Sequence, residues 1–472
     1  GVRLALGHLQ EITGRIFVDE NERLIVPSQV DGSGVDKVVA TLSVGSALRV
    51  ITVGLLADVS LQSAQHLMDT TYMELKDSFS LTDRRKSEIQ IDAIIAARPD
   101  LIVVAGGMEG GASRSVMEML ETIGLACYLM PAEVRPKVLY AGNQDLVDKV
   151  KGNLETIVDL HLAPNVRPSI DVEDIDPAQE VLAKVFCQIR SSQIGGIGDL
   201  DTLSNGWITP SANAYARVIR FLSQIYDPSK GVLGVDIGAG STTIAVGMGG
   251  KLTLRVNSSM GTGQGLTNFL KQLEFEEVRK WLSIHVPADY IQDYLYHKSL
   301  YPSVLPVTLE DLSIEQALAR VLLQRALKNM NQTPSASLFT AAGTLNAPFE
   351  PIIASGAVLT RAPSQAQSLL ILLDALQPLG MTTLVLDQNN LTAALGAVAP
   401  VNSIAPVQII ESGAYLTLGM VVNPISDAKY GTPILRARLA VNENEQTRME
   451  IKQGSLSVLP LARGQSARLT LE

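Results

Sequence analysis

One aspartate, a glycine pair and two hydroxyl residues form the part of this chain best suited to chemistry. Residues 231–250 read GVLGVDIGAGSTTIAVGMGG. Asp236 supplies a carboxylate that can hold Mg²⁺ through water. Gly238 and Gly240 flank Ala239, which permits a tight reversal with backbone N–H groups exposed. Ser241 and Thr242 add hydroxyl donors, so the whole turn can cradle a phosphate. Two better-known phosphate patterns do not fit. A dinucleotide fingerprint needs strand, glycine turn and helix, with a third glycine where this chain has Thr243. A P-loop needs Gly-Lys-Ser/Thr, and no lysine stands here. The plain alternative is an ordinary hairpin turn, since glycine turns are common.

The flanking elements must hold that turn. Residues 231–235 and 241–246 are apolar and β-branched, so they read as two strands of a hairpin, followed by a strand at 252–256. A second glycine-hydroxyl loop, Ser259-Met260-Gly261-Thr262-Gly263-Gln264-Gly265, leads into residues 267–332, which look largely helical. In this insertion Tyr290, Tyr294 and Tyr296 read either as core or as a lid or partner surface. Residues 351–354 form a buried strand ending in Ser355-Gly356-Ala357, and residues 383–387 a strand ending in Asp387. The helix after it, LTAALGAV, is built of small residues.

Upstream, DLIVVA at 100–105 is a buried strand running into Gly106 and Gly107 and then a helix at 113–122. Strand, glycine loop and helix predict a parallel crossover, with the loop at the edge where ligands or hinges gather. Strands are expected at 2–6, 14–18, 22–26, 48–53, 125–130 and 137–141. Asp176-Pro177 opens a helix with proline in its first turn. Residues 194–205 read as a loop. Thr209 is the expected N-cap, and Pro210 the first residue, of a helix whose apolar stripe is Tyr215, Val218, Ile219 and Leu222. The resulting plan is a β-rich segment at 1–45, a lobe at 46–230, a second lobe at 231–400 with the helical insertion, and a β-rich module at 401–472.

Composition narrows the class. The 472 residues suffice for two or three domains. They are 46% hydrophobic but only 4% aromatic, the mixture expected where helices cover sheets. The net charge of −10 is scattered, and no basic stripe suggests nucleic acid as a partner. Cys127 and Cys187 lie in apolar runs, which fits a reducing cytoplasm better than a disulfide framework. The histidines are isolated, without the spacing of a zinc site. No apolar run has the ~18–20 residues needed to cross a membrane. The chain starts at Gly1 without a methionine, so a fragment of a longer protein is expected.

Several motifs in order carry more than any one alone. The DxGxG hairpin, the Ser-Gly-Ala turn, the strand ending in Asp387 and the small-residue helix resemble the second half of the actin, sugar-kinase and Hsp70-type ATPase fold. The resemblance implies two ribonuclease H-like lobes and an additional β-rich module. More closely, LRVITVGLL, RPDLIVVAGGMEGG, VLYAGN, NVRP, residues 236–243 and residues 384–400 resemble the glutamate-mutase-associated MutL family. That family is grouped with reactivating ATPases of coenzyme-B12 mutases. The resemblance implies ATP and Mg²⁺ as cofactors and a B12-dependent mutase subunit as partner. It places Asp236, Gly238, Ala239, Gly240, Ser241, Thr242, Gly263, Ser355, Gly356 and Ala357 at the nucleotide, with Asp236 on Mg²⁺ through water. Gly106, Gly107, Thr209, Pro210 and Asp387 are the expected hinge or interlobe positions.

This chain also departs from the pattern. No first DxG segment is recognisable before residue 45, so it lies upstream or is lost. Ala239, Thr243 and Ser355 stand where the family tends to have other residues, and the connecting helix lacks a glutamate. Nucleotide binding is therefore expected more firmly than hydrolysis. A non-catalytic scaffold and a small-molecule kinase of the same fold remain the competing readings.

Overall fold

The structure is a computed structural model that describes residues 2–21, 23–111, 113–441, 446–462 and 465–472. It forms the expected two α/β lobes with a β-rich C-terminal region. The chain opens with α1 (Val2–Thr13), then β1 (Ala40–Leu42), β2 (Leu48–Gly54), α2 (Gln62–Met68), β3 (Met73–Phe79), α3 (Ser87–Ala97) and β4 (Leu101–Ala105). Next come α4 (Arg114–Leu129), β5 (Lys137–Tyr140), α5 (Val147–Leu154), β6 (Leu160–Leu162), α6 (Asp176–Gln193) and α7 (Ile197–Leu203).

The first sheet is parallel throughout, in the order β3-β2-β4-β5-β6. This is a doubly wound arrangement whose strand order reverses beside β2. Both faces are covered, so the strands are apolar on both sides. Leu48, Val50, Leu101 and Val103 face α2 and α6. Their alternates Ile51, Val53, Ile102 and Val104 face α3, α4 and α5.

The link to the second lobe is β7 (Ile208–Pro210), parallel to β1, and then α8 (Ser211–Ile225). The second lobe contains β8 (Gly231–Ile237), β9 (Ser241–Met248), β10 (Lys251–Ser258), α9 (Leu266–Phe269), α10 (Phe275–Arg279), α11 (Ala288–Leu300) and α12 (Leu309–Asn329). It continues with β11 (Phe349–Ser355), α13 (Ala357–Thr360), α14 (Gln365–Leu376), β12 (Gly380–Leu386), α15 (Leu391–Val398), α16 (Ile404–Glu411) and β13 (Leu416–Asn423). Its sheet runs β10-β9-β8-β11-β12-β13. The first three strands are an antiparallel meander, β11 and β12 lie parallel to β8, and β13 returns antiparallel at the edge. The two lobes thus differ in topology, and a DxGxG hairpin belongs to the second alone. A three-stranded sheet of β14 (Pro433–Ala440), β15 (Gln446–Lys452) and β16 (Arg468–Leu471) ends the chain.

Several local expectations are corrected. Residues 2–6 are helical within α1, because Leu, Ala, Gln and Glu dominate the segment and favour helix over strand. Part of the strand expected at 22–26 lies outside the described residues; Val18 and Leu24 form only an isolated bridge. Residues 125–129 continue α4, since Leu120, Ile123, Ala126 and Cys127 form one buried helical stripe. Gly124 lets that helix approach α5, where a Cβ would lie 3.1 Å from the Leu154 side chain. The loop expected at 194–205 contains α7. Thr209 lies in β7 opposite Thr41, so Pro210 precedes α8 without a side-chain cap. The expected module from 401 onward is divided, because β13 completes the second sheet.

Two helices occupy one face of that second sheet. Tyr215, Ile219 and Leu222 of α8 pack with Val232, Ala245, Ile353 and Leu395 of α15. The helices cross so closely that a Cβ on Gly396 would stand 1.8 Å from the carbonyl oxygen of Ala214. Arg217 Nη1 donates to the Gly396 carbonyl at 2.6 Å, fixing the crossing. Gly396→Ala has no space at this backbone contact, and overpacking of this kind costs about 1–3 kcal/mol. Urea denaturation should show the loss as a lower midpoint with an unchanged slope.

Candidate functional site

β8 ends in a bend because Gly238 and Gly240 follow the apolar run that buries the strand. The Gly238 amide donates to the Ser241 carbonyl at 2.9 Å, which closes the reversal between β8 and β9. The turn is then held from behind by the second glycine loop. Thr262 donates to the Gly238 carbonyl at 3.1 Å, and Gly263 and Gly265 donate to the Ala239 carbonyl at 2.9 and 3.0 Å. Glycine is required there: a Cβ on Gly261 would lie 2.3 Å from the Ala239 oxygen, and one on Gly265 2.3 Å from the Gly240 oxygen.

With its carbonyls taken, the turn keeps its amides free. Ala239 and Gly240 are exposed, and their N–H groups donate to no acceptor among the described residues. A Cβ built on Gly240 meets nothing within 4 Å, so the space above the turn is open. Such consecutive free amides form an anion-binding concavity.

The other arms of the site come from β11 and β12. Ser355 pairs with Asp236 in register, and its hydroxyl donates to Asp236 Oδ1 at 2.8 Å. Gly356 has φ +109°, and a Cβ there would lie 2.2 Å from the Ile237 oxygen. The Ser-Gly turn therefore sits directly against the start of the phosphate-type turn. Ala357 begins α13 and is exposed. Asp236, Gly238, Ala239, Gly240, Ser241, Gly263, Ser355 and Gly356 are thus brought to one end of the second sheet.

Other expected positions lie elsewhere or are already engaged. The Thr242 side chain is buried, and its hydroxyl donates to the Met260 carbonyl at 2.7 Å, so it braces the glycine loop. Asp387 caps α15: its oxygens accept from the amides of Leu391 and Thr392 at 2.8 and 2.7 Å and from the Thr392 hydroxyl at 2.6 Å. Gly106 and Gly107 belong to the first lobe, where their carbonyls accept from the Asn143 amide and the Asn165 side chain, both at 3.1 Å. Thr209 and Pro210 lie in β7, at the entry to α8.

Two tyrosines near Asp236 carried no sequence signal beyond the apolar stripe of α8. The Tyr215 hydroxyl lies 3.2 Å from the Val235 carbonyl and 3.0 Å from that of Ile353, tying α8 to the ends of β8 and β11. Burial, then the charges of Asp236 and Asp387, push its phenol well above the usual range. Tyr72 of the first lobe accepts from the Ala212 amide at 3.1 Å, and burial followed by the Asp236 charge raises its phenol too.

Burial pushes the Asp236 carboxyl above the ordinary aspartate range; the Ser355 hydrogen bond opposes this and the Asp387 charge adds to it. Asp236 Oδ2 has no protein partner among the described residues, whereas Asp387 is fully used by its cap. A buried carboxylate with one free oxygen and another anion nearby suits a hydrated divalent cation. Ser355 and Asp236 would hold such an ion at the floor of the turn.

The structure thus combines two α/β lobes, a helix pair packed on the second sheet and a turn with free backbone amides at the carboxyl end of β8. The chain belongs to the MutL protein family, whose sequence profile matches residues 1–413. Among solved structures it is similar to an acetone carboxylase in a nucleotide-free structure, at 10% identity and a TM-score of 0.23, covering 86% of this chain and 70% of that one. It is also similar to acetate kinase from Entamoeba histolytica, at 12% identity and a TM-score of 0.18, covering 61% of this chain and 71% of that one. No curated protein sequence matches it.

The state of Asp236 gives a direct test. A carboxyl raised by folding contributes its full stability below the unfolded value, about 4, and loses it as pH rises through the folded value. Asp236→Asn should therefore melt higher than the wild type near neutral pH, with the difference closing as the pH falls below about 4. Added Mg²⁺ should raise the melting temperature of the wild type and leave that of the variant unchanged.

Proposed function

We propose that this chain binds ATP with Mg²⁺ at the turn after Asp236 and uses the bound nucleotide to set the relation of its lobes. The observation that carries the reading is the pair of amides, Ala239 and Gly240, that have no partner among the described residues and stand above a part-buried Asp236–Ser355 pair. The amides and the Ser241 hydroxyl would hold phosphate oxygens, and Asp236 would orient the metal through water. A divalent cation supplies neutralisation of phosphate charge when bound. The Ser355-Gly356 turn would lie beside the purine, with Ala357 and Gly263 bordering the space.

The output is a lobe motion driven by different affinities for nucleotide in two arrangements. α8 is the connecting element: Tyr215 ties it to β8 and β11, Tyr72 of the first lobe holds its amino end, and Gly396 of α15 locks it from the side. Thr209 and Pro210 form the entry to this connection, and Asp387 stabilises α15 against it. Membership of the MutL family supports a role as the reactivating partner of a coenzyme-B12 mutase in the cytoplasm, with the lobe motion acting on the mutase subunit.

Gly240→Val separates binding from folding. A Cβ at this position meets no protein atom within 4 Å, so thermal stability should stay close to that of the wild type. It fills the anion cradle, so the dissociation constant for Mg-ATP should rise by about tenfold or more, a loss of about 1.4 kcal/mol. Isothermal titration calorimetry measures the change, and equal affinities would remove the proposed site. A turnover assay with Asp236→Ala as control then distinguishes an ATPase from a nucleotide-binding scaffold, and dependence on a small-molecule acceptor would identify a kinase.

A further inference from the structure

The lobes also meet away from the phosphate turn, where the end of α2 touches β10 and the segment after α12. Three contacts cross this junction. The Val256 amide donates to the Asp69 carbonyl at 2.7 Å. Arg255 Nη2 pairs with Asp69 Oδ2 at 3.0 Å and donates to Gln332 Oε1 at 3.2 Å. His66 Nε2 lies 2.6 Å from the Gln332 carbonyl oxygen.

The other side of the His66 ring determines its chemistry. Nδ1 lies 3.0 and 3.1 Å from the two carboxylate oxygens of Glu173. One ring nitrogen faces a carbonyl and the other a carboxylate, and neither acceptor can donate. A neutral imidazole has one N–H and one lone pair, so it satisfies only one side. Both contacts form together only when both ring nitrogens carry protons.

We propose that His66 is a protonation-dependent latch between the lobes, closed as imidazolium and released when the ring becomes neutral. The inference depends on this junction alone and stands whether or not nucleotide binds at the turn after Asp236. The charged Glu173 keeps the remaining proton on Nδ1, so the neutral ring turns its Nε2 lone pair toward the Gln332 oxygen and the contact across the lobes becomes repulsive. Histidine is the side chain whose charge ordinarily changes between about pH 5 and 8, which makes pH the variable that tests the latch.

The neighbouring charges fit this arrangement. Glu173 faces the ring from the segment before α6, with the Ser63 hydroxyl 2.6 Å from its Oε1. Burial works against the Glu173 charge, but hydrogen bonds from His66 and Ser63, with the His66 and Arg167 charges, hold its carboxyl below the usual range. Asp69 faces the ring from the end of its own helix, Arg255 from β10, and Asp176 across a cavity of about 40 Å³. A space of that size has room for water, which would give the ring proton a route to solvent.

The test uses the full chain and hydrogen exchange of the β10 peptide containing Val256, whose amide bridges the lobes. After correction for intrinsic exchange, wild-type protection should fall about tenfold from about pH 6 to about pH 8. His66→Gln should show low protection throughout. Glu173→Gln is the sharper variant. Its side-chain amide can donate to Nδ1, leaving Nε2–H for the Gln332 carbonyl of a neutral ring. Protection in Glu173→Gln should therefore stay high across the whole range. Constant protection in the wild type, or a fall in Glu173→Gln equal to that of the wild type, would overturn the proposal. The second comparison remains decisive if His66→Gln does not fold.

Discussion

Everything at the phosphate-type turn depends on where its carbonyls go. Backbone amides and carbonyls come in equal numbers, and a tight turn ordinarily exposes both. Here the loop of residues 259–265 takes the carbonyls of Gly238 and Ala239 from behind and packs against that of Gly240. The amides of Ala239 and Gly240 then dominate the open side, and the local field favours an anion. Each contact needs backbone to approach backbone without an intervening Cβ. Glycines at 261 and 265 are therefore as much a part of the site as those in the turn.

The same close approach recurs at the junction of the lobes. Gly396 brings α15 onto Ala214 of α8, and Tyr215 projects from the next position into the ends of β8 and β11. The helix that carries the lobe connection is thus in contact with the strand that carries Asp236. The Asp236 charge acts on the phenol of Tyr215, the same side chain that bonds α8 to β8 and β11. One turn earlier, Tyr72 links the first lobe to the same helix by a hydrogen bond from the Ala212 amide. The first turn of one helix is therefore tied to both lobes.

Much of this was readable in the residues, for identifiable reasons. The second lobe's strands are short, β-branched and bounded by glycine, so their type and order followed from pattern. The turn after Asp236 stands out in the sequence because a carboxylate followed by glycines at a strand end is a recognisable pattern, and the structure brings Ser355 beside it. The pattern failed where two signals overlapped. The alternation of Val2, Leu4 and Leu6 imitates a strand, yet the residues between and after them favour helix. The apolar run after Gly124 has strand length, but its burial follows helical spacing. The sequence places Thr242 at the nucleotide and Tyr215 in an apolar stripe, but whether a hydroxyl meets a ligand or a carbonyl depends on partners far away in the chain, and here both meet carbonyls. Asp387 shows the same ambiguity: an aspartate at a strand end can serve a metal or cap the next helix, and here it caps.

The position of β13 bears on how the C-terminal region can be divided. This strand comes after the second lobe's last core helix, yet it runs antiparallel along β12 from Gly380 to Leu386. Ending the protein at residue 400 would strip β12 of its neighbour and leave a row of unpaired amides and carbonyls on an apolar strand. Bare edges of this kind recruit other chains and aggregate. The natural point of excision lies beyond Asn423, where the chain leaves the large sheet before entering the small one.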